Sequence, residues 1–246
     1  IHNGEYQGTM DWQMSNYMPR FDAWKWGLRD WNGRINPLAT MIKCSHEFTA
    51  VSQGYMHELF EEAQGLQDLI RQEHRKAHGI INGIDTEVWD PVTDKMLYGN
   101  YSRENFEEGK EKNKKWLCEE YGLNPELPLF AFIGRFAGEK GADMLPDIVR
   151  RSISETEGAL NILILGSGNP QIENTLKQLQ EEFHVNFAMD LGYNEALSHK
   201  IYAGADFLLM PSRVEPCGLN QMYAMRYGTI PIVRYTGGLK DTVTDI

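Results

Sequence analysis

The chain has 246 residues, 41% hydrophobic and 24% charged, a composition that excludes a disordered or fibrous protein and allows a sizeable core. Its 24 basic and 35 acidic residues leave a net charge of -11, which excludes a broad nucleic-acid or anionic-membrane surface but not one small basic pocket. Three cysteines, Cys44, Cys118 and Cys217, lack metal-ligand spacing and are too few for a disulfide framework, so a reducing, cytoplasmic compartment is expected.

The chain opens on Ile1, without Met and inside a motif, and is expected to be a fragment whose targeting region is out of view. No apolar stretch approaches the roughly 18 residues of a membrane span. Residues 1–36 are polar, aromatic and turn-rich. Ile1-His2-Asn3 reads as the end of a strand entering a loop. Four of the six tryptophans, Trp12, Trp24, Trp26 and Trp31, fall here without helix or strand periodicity. Such rings are expected to line a cleft or to pack against another part of the protein. Asn36–Cys44 predicts a helix with Pro37 near its first turn. Phe48–Val51 predicts a short buried strand, and Ser52 the cap of a helix carrying Tyr55, Met56, Leu59 and Phe60. Gly79–Asp85 is a second strand-and-turn signal. These βα-type units predict the tail of a larger α/β domain over residues 1–82, with a second domain over 83–246. Residues 86–98, with Pro91 among turn residues, are the best linker candidate. Residues 102–121 predict a charged amphipathic helix ending at Gly122, its Lys/Glu mixture reading as a solvated face.

From residue 128 the pattern becomes regular. Apolar strands are expected at 128–133, 160–165, 185–189, 206–210 and 230–233. Helices are expected at 141–153, 170–182, 194–203 and 218–227, and a last one opens at Gly237-Gly238. Wholly apolar strands alternating with short helices predict an α/β fold, a Rossmann-like parallel sheet with helices on both faces.

Several features with chemical potential fall at the carboxyl ends of these strands, where open α/β sheets bind ligands. Ser212–Asn220 joins the strand ending at Met210 to a helix, and places the carboxylate of Glu215 on the turn. The amides of Gly218, Leu219 and Asn220 open that helix and can receive an anion. Gly134–Gly141 carries Arg135 and Lys140, a cation pair able to clamp a diphosphate. Gly166-Ser167-Gly168 reads as a tight turn beside a ligand; it lacks the third glycine of a dinucleotide fingerprint. Thr236, Gly237 and Gly238 start a helix and form a second candidate phosphate site. Tyr193, on a Gly-Tyr turn, either stacks on a base or is simply packed.

Taken together, Ile1–Gly8, Thr49–Ser52, Asn82–Asp85, Gly134–Gly141, Gly192-Tyr193, Pro211–Leu219 and Thr236–Leu239 resemble, in order, the motifs of bacterial glycogen synthase and plant starch synthase. The Glu-Pro-Cys-Gly-Leu string with Thr-Gly-Gly-Leu downstream is the specific part. The resemblance implies a two-lobed GT-B glucosyltransferase, with residues 1–82 the end of the acceptor lobe and 83–246 the donor lobe. It implies ADP-glucose as donor, an α-1,4-glucan end as acceptor, retention of configuration, and no cofactor or metal. Glu215 would balance positive charge at the anomeric carbon. Arg135 and Lys140 would hold the diphosphate. Tyr193 would flank the adenine. Cys217 would be a pocket wall, and the amides of Gly218, Leu219, Asn220, Gly237 and Gly238 would hold phosphates and sugar. His2 would be catalytic, across the cleft at the reacting sugar, and Asn82 nearby would be a donor-binding residue. Related transferases place a second Glu eight positions after the first to hold a ribose; here that position is Tyr223. A UDP-glucose-using or sucrose-synthase-like enzyme, or a lobe that binds nucleotide without activity, are the alternatives. A phosphorylase would need a pyridoxal phosphate lysine that the sequence does not reveal.

Overall fold

The computed structural model describes residues 1–17 and 29–245, so Trp24 and Trp26 lie outside the described residues. The chain divides into two compact units, Ile1–Asn82 and Gly83–Ile246.

In the first unit Ile1–Asn3 is irregular and not a strand end. The Ile1 amino group donates to the Thr49 carbonyl instead of joining a ladder. A 3-10 turn at Trp12–Tyr17 precedes a short antiparallel ribbon, β1 (Asp30–Trp31) with β2 (Arg34–Ile35). Helix α1 (Pro37–Cys44) starts where expected. The Asn36 side chain accepts from the Ala39 amide, and Pro37 occupies a first-turn site whose N–H would have no helical partner. Strand β3 (Phe48–Ala50) leads to Ser52, whose hydroxyl accepts from the Tyr55 amide and caps α2 (Gln53–Glu61). Tyr55, Met56 and Leu59 form its buried face. Helix α3 (Gln67–Gln72) was not expected; six residues are too few to display a period. Strand β4 (Ala77–Gly79) pairs parallel with β3. It ends where the Gly79–Asp85 signal begins, and Ile80 and Ile81 are exposed beyond it.

The second unit is built on five parallel strands in the order β7-β6-β5-β8-β9. They are β5 (Leu129–Phe136), β6 (Asn161–Gly168), β7 (Phe187–Leu191), β8 (Phe207–Met210) and β9 (Ile230–Val233). The helices are α4 (Phe106–Glu120), α5 (Leu145–Glu155), α6 (Pro170–Glu182), α7 (Glu195–Gly204), α8 (Asn220–Arg226) and α9 (Gly237–Thr242). Strand alternation splits the apolar residues between two cores. Leu129, Ala131, Leu163 and Leu165 pack with Leu117, Ile201 and Ala224. Phe132, Ile162 and Ile164 pack with Leu145, Val149, Leu176 and Leu179. Each of the Leu, Ile, Val and Phe side chains among them contributes about 1.5–3 kcal/mol by burial. The expected α/β architecture is therefore present, with one exception at its edge: Ile230 and Ile232 of β9 are exposed. Strands β5 and β6 run longer than their apolar runs because their register continues to Phe136 against Gly168. Gly166-Ser167-Gly168 is accordingly the tail of a strand and not a tight turn. Among the described residues no helix is long and apolar enough to cross a membrane.

The strand order reverses between β5 and β8, since β6 and β7 extend one way and β8 and β9 the other. β5 pairs with β8 only at Phe130 and Ala131. The carboxyl ends of these two strands then separate and open a crevice.

Two expectations about polar segments are corrected. Residues 86–98 are not a linker. Asp94 is buried, and Trp89 is packed against the core of the second unit. The Lys/Glu face of α4 is not wholly solvated either. Lys110 donates to the carbonyls of Ala203 and Ala205 at 3.2 and 2.9 Å and to the Thr229 hydroxyl at 2.8 Å. Lys114 pairs with Asp206 at 2.7 Å. Burial pulls the Lys110 ammonium down to about 8, against the opposing pull of Asp206.

The folded state thus releases the Lys110 proton near pH 8, while the unfolded chain holds it to about pH 10.4. Between those values the unfolded state binds more protons, so this group makes stability rise with pH. Below pH 8 its burial penalty is present in full. Lys110→Met is expected to flatten that rise by on the order of 1–2 kcal/mol between about pH 8 and 9.5. Urea unfolding of both proteins at several pH values measures it, and equal slopes would contradict the assignment.

Candidate functional site

The site lies at the carboxyl ends of β5 and β8. Glu215 sits on the turn after β8 and is only 6% exposed. A buried carboxylate needs partners. Lys140 supplies them, with Nζ at 2.8 Å from Oε1 and 2.7 Å from Oε2. The Ser212 hydroxyl donates to Oε2 at 2.9 Å. The two expected groups, one from each loop, are therefore brought together as an ion pair.

Backbone contacts hold the two loops in place. The amides of Arg213 and Val214 donate to the Glu139 carbonyl at 2.8 and 3.2 Å. Gly141 has φ +67°, and a Cβ there would lie 2.3 Å from the Pro211 carbonyl oxygen. A left-handed residue in direct contact with a neighbouring carbonyl must be glycine. Below the turn, the Gly238 amide donates to the Glu215 carbonyl at 2.9 Å. Added Cβ atoms on Gly237 and Gly238 would lie 2.1 Å from the Glu215 oxygen and 2.3 Å from the Cys217 oxygen. Thr236, Gly237 and Gly238 are thus buried supports of the Glu215 turn, and the Gly238 amide is already engaged. Cys217 is a buried thiol, outside any disulfide, next to that support.

Arg135 is exposed at the end of β5 and pairs with Glu139 at 2.9 Å. Arg135 and Lys140 therefore each face a separate carboxylate. Leu219 immediately precedes α8, and Gly218 before it has φ +76°. The Asn220 side-chain amide donates to the Ile133 carbonyl at 2.8 Å and bridges the crevice where β5 has left β8.

Beside these loops lies a cavity of about 440 Å³ whose walls include Trp89, Arg135, Tyr193, Tyr202, Asn220 and Tyr223. Tyr193 is 88% exposed, so its ring is not packed in the core. Burial, then the carboxylates of Asp85 and Glu195, hold the Tyr223 phenol above the ordinary tyrosine range. It is therefore a neutral hydrogen-bonding wall at neutral pH. Trp89 and Tyr202 were missed in the sequence. The available signal was a large aromatic inside a segment too polar to bury it alone, a poor composition for a solvated linker.

His2 and Asn82 lie in the first unit, and both are exposed. Asn82 follows β4 by three positions. Among the described residues no group of three or more His, Cys, Asp or Glu is placed to hold a metal ion.

A model described as "Glycosyl transferases group 1" matches residues 113–246, and one described as "Starch synthase catalytic domain" matches residues 1–72. A glycogen synthase of Flavobacterium johnsoniae is 54% identical over 245 residues, covering 100% of this chain and 52% of that protein. A glycogen synthase of Thermotoga maritima is 41% identical over 251 residues, covering 100% and 51%. The chain thus spans about half the length of the curated relatives it matches. The solved catalytic domain of starch synthase IV from Arabidopsis thaliana, bound to ADP and acarbose, superposes with a TM-score of 0.89 at 36% identity. It covers 100% of this chain and 52% of that one.

The interlock of glycine backbone and turn makes a direct prediction. Gly141→Ala combines an unfavourable φ with a backbone clash and should destabilise the chain by about 2–4 kcal/mol in denaturant unfolding. Gly138→Ala is the control. Nothing lies within 4 Å of its added Cβ, and it should change stability by less than about 0.5 kcal/mol.

Proposed function

The chain belongs to the family of glycogen and starch synthases, and we propose that its second unit binds the nucleoside diphosphate sugar of a glucan-elongating transferase. The donor is ADP-glucose, and the acceptor is the end of an α-1,4-glucan. The observation that carries this reading is the junction at β5 and β8. There a two-cation loop meets a buried, oriented carboxylate beside an aromatic-walled cavity of about 440 Å³. A relative's structure bound to ADP supports a nucleoside diphosphate as the ligand.

The chemistry follows from charge. The pair of Arg135 and Glu139 is open to solvent on the arginine side and worth on the order of 1 kcal/mol, so a diphosphate displaces Glu139 at small cost. Lys140 lies between two anions, the diphosphate and Glu215. As the glycosidic bond to the diphosphate lengthens, negative charge grows on the leaving group and positive charge on the anomeric carbon. Arg135 and Lys140 stabilise the first, and Glu215 the second. Ser212 and Lys140 keep the Glu215 carboxylate from rotating, so it needs no reorganisation as charge develops. Attack by a glucan hydroxyl on the face the leaving group departs from retains the configuration, with the departing phosphate taking the hydroxyl proton. The amides of Gly218, Leu219 and Asn220 are the further anion contacts, and Cys217 is a wall.

We assign the first unit to the acceptor. His2 and Asn82 are its candidates for contact with the reacting donor sugar, because an exposed imidazole and an exposed amide can each hold sugar hydroxyls. Three cysteines outside any disulfide fit a cytoplasmic setting.

In a full-length active protein carrying this sequence, Glu215→Gln should lower kcat by at least about 100-fold while changing donor KM only a few-fold. Incorporation of labelled glucose into glycogen measures it; near-normal kcat in the folded variant removes Glu215 from the chemistry. Arg135→Ala should weaken ADP binding to the present chain about tenfold by calorimetry. A preference for UDP over ADP in the same titration would reassign the donor. Cys217→Ser should keep both the fold and part of the activity, and a covalent glucosyl adduct on Cys217 would refute the wall role.

A further inference from the structure

Under the aromatic wall of the cavity lies a buried polar group that the transfer chemistry does not use. His199, on α7, is 0% exposed. Its Nδ1 is 2.6 Å from Asp94 Oδ2, and the Tyr227 hydroxyl donates to the same oxygen at 2.6 Å. Since that oxygen accepts from both, Nδ1 carries the hydrogen. Nε2 has no hydrogen-bond partner among the described residues. Asp94 Oδ1 accepts from the Met96 amide at 2.8 Å, so the carboxylate is fixed at both ends. Burial and the bond to Asp94 hold the Tyr227 phenol well above its ordinary range, so it remains a donor.

The histidine face bears on the cavity through a stack. Trp89 lies parallel to His199, with ring centroids 3.7 Å apart and planes 13° apart. The Tyr223 ring lies 3.8 Å from Trp89 at 21°. Tyr202 meets Trp89 edge-on at 5.7 Å. Trp89, Tyr202 and Tyr223 all line the cavity. An imidazole free to rotate about its side-chain bonds would let this stack tilt. Two hydrogen bonds converging on one carboxylate oxygen prevent that.

We propose that Asp94 and His199 are positioning residues for the base of the bound nucleotide. They fix the plane of the imidazole, the imidazole fixes Trp89, and Trp89 fixes Tyr223, so that the cavity keeps a flat apolar wall for a planar heteroaromatic ring. Neither residue touches the nucleotide. The proposal rests on the reading of this cavity as the nucleotide pocket and adds the part of it that reads the base.

The test uses calorimetric titration of the present chain with two probes, ADP and ribose 5-diphosphate, which lacks the base. His199→Leu and Asp94→Asn should each weaken ADP binding about tenfold, the scale of one aromatic–base stack, and leave ribose 5-diphosphate unchanged. Tyr227→Phe, which keeps the ring and removes one hydrogen bond, is the milder variant if either of these fails to fold, and should give a smaller loss of the same kind. In a Trp89→Leu background, His199→Leu should have no further effect on ADP, because its influence passes through Trp89. Equal losses for both probes would show a merely structural role and overturn the proposal. So would unchanged ADP affinity, or full additivity with Trp89→Leu. If the unaltered chain binds neither probe at millimolar concentration, it is the nucleotide-pocket reading that fails.

Discussion

The geometry of the site depends on how closely backbone can approach the turn after β8. Glycines meet that turn from two sides, Gly141 at the Pro211 carbonyl and Gly237 with Gly238 at the Glu215 and Cys217 carbonyls. Any side chain at these points would push the turn outward. Because the turn is gripped, the Glu215 side chain is carried into a buried position. Once buried, it must be matched by charge and hydrogen bonds, and Lys140 and Ser212 are within reach for that purpose. Carboxylate placement is thus a backbone property first and an electrostatic one second.

The same logic runs through the sheet. Strand β5 keeps company with β8 for only two residues and with β6 for its whole length. The loops that leave β5 and β8 are therefore neighbours at their roots and free to diverge above, with the Asn220 side chain spanning the gap to Ile133. A crevice at this point is a consequence of strand order, and polar groups gather there because the hydrophobic cores occupy the two faces of the sheet.

Much of the second unit was legible in the chain because its strands are continuous apolar runs and two of its helices have clear side-chain caps. Asn169 and Asn194 cap α6 and α7 through their own side chains, and Pro170 marks the start of α6. The chemical groups of the β5 and β8 loops were legible as well, since loops at strand ends carry few packing constraints and their charged residues stand out. What escaped were short elements and polar residues that are buried. Helix α3 is too short to show a period, and β4 is displaced from the turn that announced it. Asp94 and Lys110 looked like surface residues because composition cannot distinguish a charge in water from a charge with several internal partners.

The sequence by itself determined the α/β class, the alternation of the second unit and the residue types able to hold a diphosphate, because period, caps and glycine turns are local properties. Tertiary structure alone decided that Lys140 faces Glu215, that the Gly238 amide supports the turn, and that Trp89 lies between His199 and Tyr223. Those pairings join residues separated by 75 positions for Lys140 and Glu215 and by more than a hundred for Trp89 and His199. Pairings over such separations are set by strand order and by the packing of helices on the sheet. No local pattern in the chain encodes either one.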